Sequence, residues 1–291
     1  MEKRSKRQSL ATAAGEYAGS VTGAIAAAGV EVAVGGDAGT VIGAMAGTVI
    51  ERTLEKIGSE VSRRLLGPSE ERRVGYALEQ AREIISQKLA AGEQPRADKF
   101  FDSAPGDRSA AEELLEGVLI AAQKEYEEKK APYLARLYAN ILFHPEVSRP
   151  AANRLLKLAN QLTYRQLVIL SNLGYMLQTG SSPLKQEPYR QVRGLENVAI
   201  ASEIYEMYRM SLIGSSEVAL DAAGINPSAL SLIGYGAKLF ELMELCQLEK
   251  DDELVDVQKT VVGFLMGKNL DCSTGEDAGI NAGRTKWRNL G

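Results

Sequence analysis

His144 is the only histidine of the chain, and histidine is the commonest side chain for holding a transition metal. Alone, and followed by Pro145, it cannot build a multi-histidine metal site; it reads as a residue at a helix end. Carboxylates come in two groups, Glu112, Glu113 and Glu116, then Glu125, Glu127 and Glu128. Lysines are interleaved with them, so they read as a solvated face rather than a cation site. Asp251, Asp252 and Glu253 stand where a helix should begin, and the helix dipole favours acids there without any metal. Cys246 and Cys272 form neither a metal-ligand pattern nor a disulfide framework, which points to a reducing cytosol. The Gly-rich N-terminal region lacks the Lys-Ser/Thr ending and the flanking strand of a phosphate loop. Trp287 sits in a basic tail with Arg284, Lys286 and Arg288; such a cluster can touch an acidic partner, a lipid headgroup or RNA, but it reads first as an unstructured tail. These residues make up no catalytic site, so we expect no enzyme, no cofactor and no metal.

What remains is a spacing. Gly15, Gly19 and Gly23 lie four apart, and Gly35, Gly39, Gly43 and Gly47 do so again, among Ala, Val, Ile and Thr. In a helix, residues four apart share a face, and a glycine face lets another backbone approach closely, as in small-xxx-small packing of membrane helices. Two Gly-striped helices are expected, with Gly35-Gly36-Asp37 as the turn between them. Glycine costs about 1 kcal/mol of helix propensity relative to Ala, roughly 6 kcal/mol for Gly19, Gly23, Gly29, Gly39, Gly43 and Gly47 together. Close packing must offset that cost, within the monomer, in an oligomer, or in lipid. Glu16 and Glu31 bracket the first uncharged run, and Asp37 and Glu51 the second. Each covers roughly 20 Å as a helix, against about 30 Å of hydrocarbon, so a lone monomer should insert poorly. Basic flanks precede the first arm (Lys3, Arg4, Lys6, Arg7) and follow the second (Arg52, Lys56, Arg63, Arg64), which favours the cytoplasmic side of the inner membrane. The basic start superficially resembles a signal peptide, but the weakly apolar run and the second glycine series argue against cleavage.

With 291 residues, 45% hydrophobic and 25% charged, the composition is globular. A net charge of -4 makes no general case for nucleic-acid binding. Four parts are expected: a hairpin and amphipathic helix over 1–66, a helical bundle over 67–162, a third part over 163–266, and a mobile tail over 267–291. In the first, Leu54, Ile57, Val61 and Leu65 recur at helical spacing until Gly67-Pro68 stops them. Ser69 can cap the next helix, whose apolar face is Val74, Leu78, Ala81, Ile85 and Leu89. Since the later helices carry their own caps and stripes, the region from Ser69 onward is expected to fold without the zipper. Gly92 to Arg108 reads as a loop. Ser109 and Glu112 have capping-box spacing and open a helix that runs through the Glu125–Lys130 patch to Pro132. Further helices cover Leu134–Leu142, Pro150–Leu158 and, after a second box at Thr163 and Gln166, Leu167–Leu177. Thr179–Gly194 reads as a loop and Val198–Ile213 as a helix. Glu217–Leu220 and Ala229–Ile233 read as a small hairpin, and Ala237–Leu248 and Asp251–Leu265 as helices.

Two resemblances follow from these residues. Glu125 to Leu142 runs Glu-Tyr-Glu-Glu-Lys-Lys-Ala-Pro-Tyr-Leu-Ala-Arg-Leu-Tyr-Ala-Asn-Ile-Leu; with the Leu-rich segment after Leu155, it resembles the abortive infection alpha family of bacterial phage-resistance proteins, over about residues 70–177. The resemblance implies a bacterial origin and a defence role, and brings no catalytic residue. The order helix, helix, hairpin, helix from Thr163 to Leu248, with Leu230-Ser231-Leu232-Ile233-Gly234 leading into Lys238 to Met243, resembles a winged-helix domain. In it Val198–Ile213 would be the recognition helix, but Glu203 and Glu206 against a single Arg209 would repel phosphate, so specific DNA is not expected as a partner. The expected fold is therefore mainly α, with a Gly-zipper hairpin, a central helical bundle and a winged-helix-like C-terminal part. The expected function is a self-assembling, membrane-associated effector in abortive-infection phage defence, acting by membrane insertion or permeabilisation. Its partners would be other copies of itself, inner-membrane lipid and a trigger that these residues do not identify. The alternatives are a soluble homo-oligomeric scaffold and, third, a winged-helix transcription regulator.

Overall fold

The computed structural model of the chain describes residues 38–64, 66–179, 184–189, 192–216, 224–248 and 252–267. Among these, nine α-helices and one small two-stranded antiparallel sheet near the C-terminal end make a mainly helical protein. The first helix, α1 (Ala38–Ser62), has 25 residues and so spans about 37 Å. It carries Gly39, Gly43 and Gly47 of the second glycine series and Leu54, Ile57 and Val61 of the amphipathic stripe, because nothing between Gly47 and Ile50 breaks the helix. Ile50, Leu54, Ile57 and Val61 are fully buried. Antiparallel to it runs α2 (Pro68–Ala90). The two pair through Glu51 and Arg82 at 3.3 Å, and a Cβ built on Gly58 would lie 2.7 Å from the Leu78 side chain. The absence of a side chain at Gly58 is what lets the helices approach. The cap of α2 is Gly67, not Ser69: the Gly67 N–H donates to Glu70 Oε2 at 2.7 Å and Pro68 fills the first turn.

Ser109 and Glu112 form the expected reciprocal box at the start of α3 (Ala110–Lys124), with bonds of 3.1 and 3.0 Å. That helix stops at Lys124, earlier than Pro132. Residues Glu128–Lys130 form a single 3-10 turn, and Pro132 lies in the first turn of α4 (Ala131–Ile141), where a missing N–H costs nothing. Nearly all of α4 is buried, including Tyr133, Leu134, Leu137, Tyr138 and Ile141. It packs most extensively on α2. Next come α5 (Arg149–Gln161), capped by Ser148, and α6 (Tyr164–Thr179), opened by reciprocal Thr163–Gln166 bonds of 3.1 and 2.8 Å.

The C-terminal part has the order α6, α7 (Leu195–Arg209), β1 (Ile213–Ser215), β2 (Leu230–Leu232), α8 (Gly234–Leu242), α9 (Asp252–Met266). The register is Ile213↔Leu232, Gly214↔Ser231, Ser215↔Leu230. The first strand thus begins at Ile213, the last residue read from the sequence as helix; Glu217–Leu220 lies outside the described residues. Ser211, at φ 58, supplies the left-handed residue of a Schellman end, with Leu212 N–H on Met207 O and Ser211 N–H on Tyr208 O, both at 2.9 Å. Gly236 seals this turn: a Cβ there would stand 1.9 Å from the Leu212 carbonyl oxygen.

The boundaries expected near 66 and 162 fall between helices in direct contact. α1 lies on α2 and α3, and α4 on α8. The expectation that residues from Ser69 onward fold without the preceding segment runs against this packing, because the α1 stripe fills the same core as Leu78, Leu114 and Leu134.

Candidate functional site

The described part of the glycine-striped region is α1. Eighteen residues make five helical turns, so Gly39 and Gly43 fall on the same face as Ile57 and Val61. That is the face by which the second half of the helix is buried. Gly47 begins the docked part, and a Cβ on it would touch the Leu89 side chain at 3.5 Å. With Gly47 level with Leu89 and α2 ending at Ala90, residues 38–46 carry α1 about 14 Å further. Only the backbone is described for Gly39 and Gly43. Gly15, Gly19, Gly23, the turn Gly35, Gly36 and Asp37, and the basic residues Lys3, Arg4, Lys6 and Arg7 lie outside the described residues. Among the described residues, no helix is long and apolar enough to cross a membrane.

The basic flank after the glycines divides in two. Arg52 and Arg63 are exposed. Lys56 pairs with Glu112 at 2.6 Å, and Arg64 pairs with Glu116, which Arg108 also reaches while holding Glu60 at 2.6 Å. These pairs join α1 to α3 and to the loop before it. They correct the reading of the carboxylates as a solvated face. Glu112 and Glu125 are buried, and Glu113, Glu116 and Glu127 half-buried; Glu128 alone of the group is exposed. Glu125 and Lys130 form a buried pair at 2.5 Å, with Lys130 Nζ also donating to Asn160 O at 3.2 Å and Glu125 Oε1 accepting from Glu127 N–H at 3.0 Å. The alternation of signs was visible in the sequence; that the helix breaks at Lys124 and folds the pair inward was not.

Burial alone would raise the Glu112 carboxyl, but hydrogen bonds from Lys56 Nζ and Ser109 N–H, with the field of Arg108, hold it below its usual value. The Arg149 guanidinium, opposed by burial and helped by Asn153, lowers Glu113. Glu146 is desolvated in part, yet its contacts with His144 Nδ1 at 2.8 Å and Lys238 Nζ at 3.0 Å bring it to about 2. Each of these folded values lies below the unfolded one, so the unfolded chain binds more protons in the window between. The stability they contribute is complete above the ordinary 4.5 and is lost as the pH falls through the lowered values, for Glu146 down to about 2. Denaturant midpoints measured from pH 7 downward should stay level to about pH 5 and then fall. Equal midpoints at about pH 3 and pH 7 would contradict this.

The Ala-Asn run of the family resemblance has a structural task. Asn140 is buried, and its Nδ2 donates to Leu242 O at 2.9 Å and Glu244 Oε1 at 3.0 Å. Ser171 Oγ donates to Leu245 O at 2.6 Å. Two side chains, from α4 and α6, thereby satisfy the end of α8 and the turn in which Glu244 adopts φ 52. His144, at the end of α4, belongs to the same junction through Glu146 and Lys238. Arg96 locks the adjacent turn: Asp98 holds its Nε and Nη2 at 2.7 and 2.5 Å, its Nη1 donates to Val147 O at 2.9 Å, and it lies 3.9 Å over the Phe100 ring. A shallow cleft of about 290 Å³ opens beside Arg96, Lys99, Ser148 and Arg149. Among the described residues no group of three His, Cys, Asp or Glu side chains could hold a metal ion.

On α7, Glu203 is half-buried and Glu206 exposed, and both are held by side chains at the start of α6. Glu203 accepts from Arg165 Nε at 2.8 Å and from Thr163 Oγ1 at 3.2 Å, and Glu206 accepts from Gln166 Nε2 at 3.0 Å. They fasten α7 to the start of α6. No family model, no curated protein and no solved structure matches this chain.

Proposed function

We propose that this chain is a bacterial self-assembling effector that associates with the inner membrane from the cytoplasm and acts in abortive-infection phage defence by inserting into or permeabilising the membrane. The observation that carries the reading is the continuity of α1. Its second half is anchored by four fully buried side chains and by the Lys56 and Arg64 ion pairs, while Gly39 and Gly43 extend the same face past the end of α2. A body that grips one end of a helix fixes the orientation of the other. Assembly of several bodies would then bring glycine faces together, where close backbone approach is favourable. The partners in this reading are further copies of the chain, membrane lipid and a trigger of unassigned chemistry. The C-terminal part is proposed to be winged-helix-like and used for protein contacts.

Gly39→Leu or Gly43→Leu separates this reading from simple hydropathy. Either change improves helix propensity by most of about 1 kcal/mol and makes the arm more apolar. Close packing requires the reverse outcome. Both variants should lose oligomerisation in detergent and dye leakage from anionic vesicles, while Val41→Leu, on another face, keeps both. Full leakage by both glycine variants would sink the proposal.

A second reading is a soluble homo-oligomeric scaffold held by the same glycine face. It is favoured by the contact of Gly47 with Leu89, where a member of the series packs against protein. Flotation with liposomes distinguishes the two: the scaffold stays at the bottom of the gradient as an oligomer.

A further inference from the structure

We propose that the outward face of α5, together with Tyr126, binds single-stranded nucleic acid. The helix Arg149–Gln161 contains no acidic residue, in a chain that carries more acids than bases. Its apolar side, Ala152, Leu155, Leu158 and Ala159, is buried. Its other side exposes Asn153, Arg154, Lys157, Asn160 and Gln161. Arg154 and Lys157 meet no carboxylate among the described residues. Glu113 does reach the first turns of this face, where it holds Arg149 and Asn153; the free positive charge therefore begins one turn further on. Cations with side-chain amides between them suit a phosphate backbone, which the cations neutralise and the amides hydrogen-bond.

An independent observation is an exposed aromatic ring on a turn that is bonded to the end of α5. Tyr126 is 84% exposed, the most exposed large hydrophobic side chain among the described residues. The turn that carries it is otherwise fastened down: Glu127 Oε2 accepts from Tyr164 N–H at 2.9 Å, and Lys130 Nζ donates to Asn160 O at 3.2 Å. The first bond ties the turn to the start of α6, the second to the C-terminal end of α5. The turn beneath the ring is thus held in place, and the ring serves no core. Free cations on a helix and an exposed ring on a turn joined to its end are the elements on which an unpaired strand is held and its base stacks. In a duplex the bases are stacked on one another and the ring would find no face, so a single strand is the better fit. An anionic membrane is the other polyanion available, but an interfacial helix turns its apolar face to lipid, and that of α5 is in the core. The assignment stands apart from the membrane proposal, since it involves neither α1 nor the glycines.

The test is anisotropy of labelled oligo(dT) and oligo(U), about 15 nucleotides long to exceed the site, titrated with the full chain between about 50 and 200 mM salt. Both strands should bind, more weakly as salt rises. Arg154→Gln with Lys157→Gln should weaken binding and flatten the log–log salt slope by about 0.7 per lost contact. Tyr126→Ala should weaken binding about 5- to 150-fold and leave the slope unchanged, while Tyr126→Phe binds like the parent. All these positions are exposed, so helicity should be retained; should the double variant lose it, Lys157→Gln alone must still flatten the slope. The proposal is overturned by no binding of either strand, by variants that bind as the parent does, or by a duplex of the same length binding as tightly. Binding to vesicles of anionic lipid but not to the strands would assign the face to membrane instead and overturn it too.

Discussion

A chain starting at Gly67 is expected to lose cooperative unfolding, while a chain starting at Ala38 retains it. The truncation removes Ile50, Leu54, Ile57 and Val61, all fully buried, and uncovers the sides of α2 and α3 on which they lie. Burial of one such side chain contributes about 1.5–3 kcal/mol. Four together match the order of a whole domain's stability, about 5–15 kcal/mol. The ion pairs of Lys56 and Arg64 are lost with them, leaving Glu112 without its ammonium partner in a mostly buried position. Removing α1 also removes the entropy cost of ordering it, but that gain does not cover the apolar faces left behind. The shorter chain should bind a hydrophobic dye, keep much of its helical signal and melt without a sharp transition. A sharp transition at a temperature close to that of the chain from Ala38 would show that α1 is an appendage to a self-sufficient body.

The second large effect is expected at Lys130. Its ammonium and the Glu125 carboxylate are almost completely removed from water, 2.5 Å apart. Lys130→Met would leave a carboxylate with no cation in a buried turn, a change that costs about 3–5 kcal/mol in comparable pairs. Glu125→Gln would leave the ammonium buried without a counter-charge, with only neutral carbonyl oxygens, such as Asn160 O, to receive it. Combining Glu125→Leu with Lys130→Met removes both charges. It should recover much of the loss, because the desolvation cost of the pair disappears along with its attraction. Denaturant midpoints of the two single variants and the double would decide it. Losses below about 1 kcal/mol in both single variants would mean that the turn opens to water readily, as surface pairs do.

Much of the helical content could be read from the residues because the signals are local. The boxes at Ser109–Glu112 and Thr163–Gln166 each join groups three residues apart, and both are formed as their spacing implies. The stripe Leu54, Ile57, Val61 needs only the period of the helix to be recognised, and all three are buried. Where a local rule offered two answers, the reading erred. Ser69 is a good capping residue, yet Pro68 fits only the first turn, so the cap moved back to Gly67. The helix read through Ile213 ends at Arg209, because Met210, Ser211 and Leu212 close it in a turn and Ile213–Ser215 pair with Leu230–Leu232. Ser211 accepts a left-handed conformation that its type alone would not suggest.

By itself the sequence determined that the chain is mainly helical, where most helices lie, and that one region carries glycines at four-residue spacing. Those properties depend on contacts within about one turn, which the order of residues specifies directly. Only the tertiary structure decided what the charges and amides do. Glu112 finds Lys56 across 56 positions, and Asn140 finds the end of α8 across 102. The acids of α7 turn toward α6, and the acid-free face is on α5, a helix whose outward side is identified only once its apolar side has been packed. A side chain's charge is written in the sequence, but whether it meets water, a counter-ion or a carbonyl depends on which helix lies opposite, and that is set by the packing of the whole core.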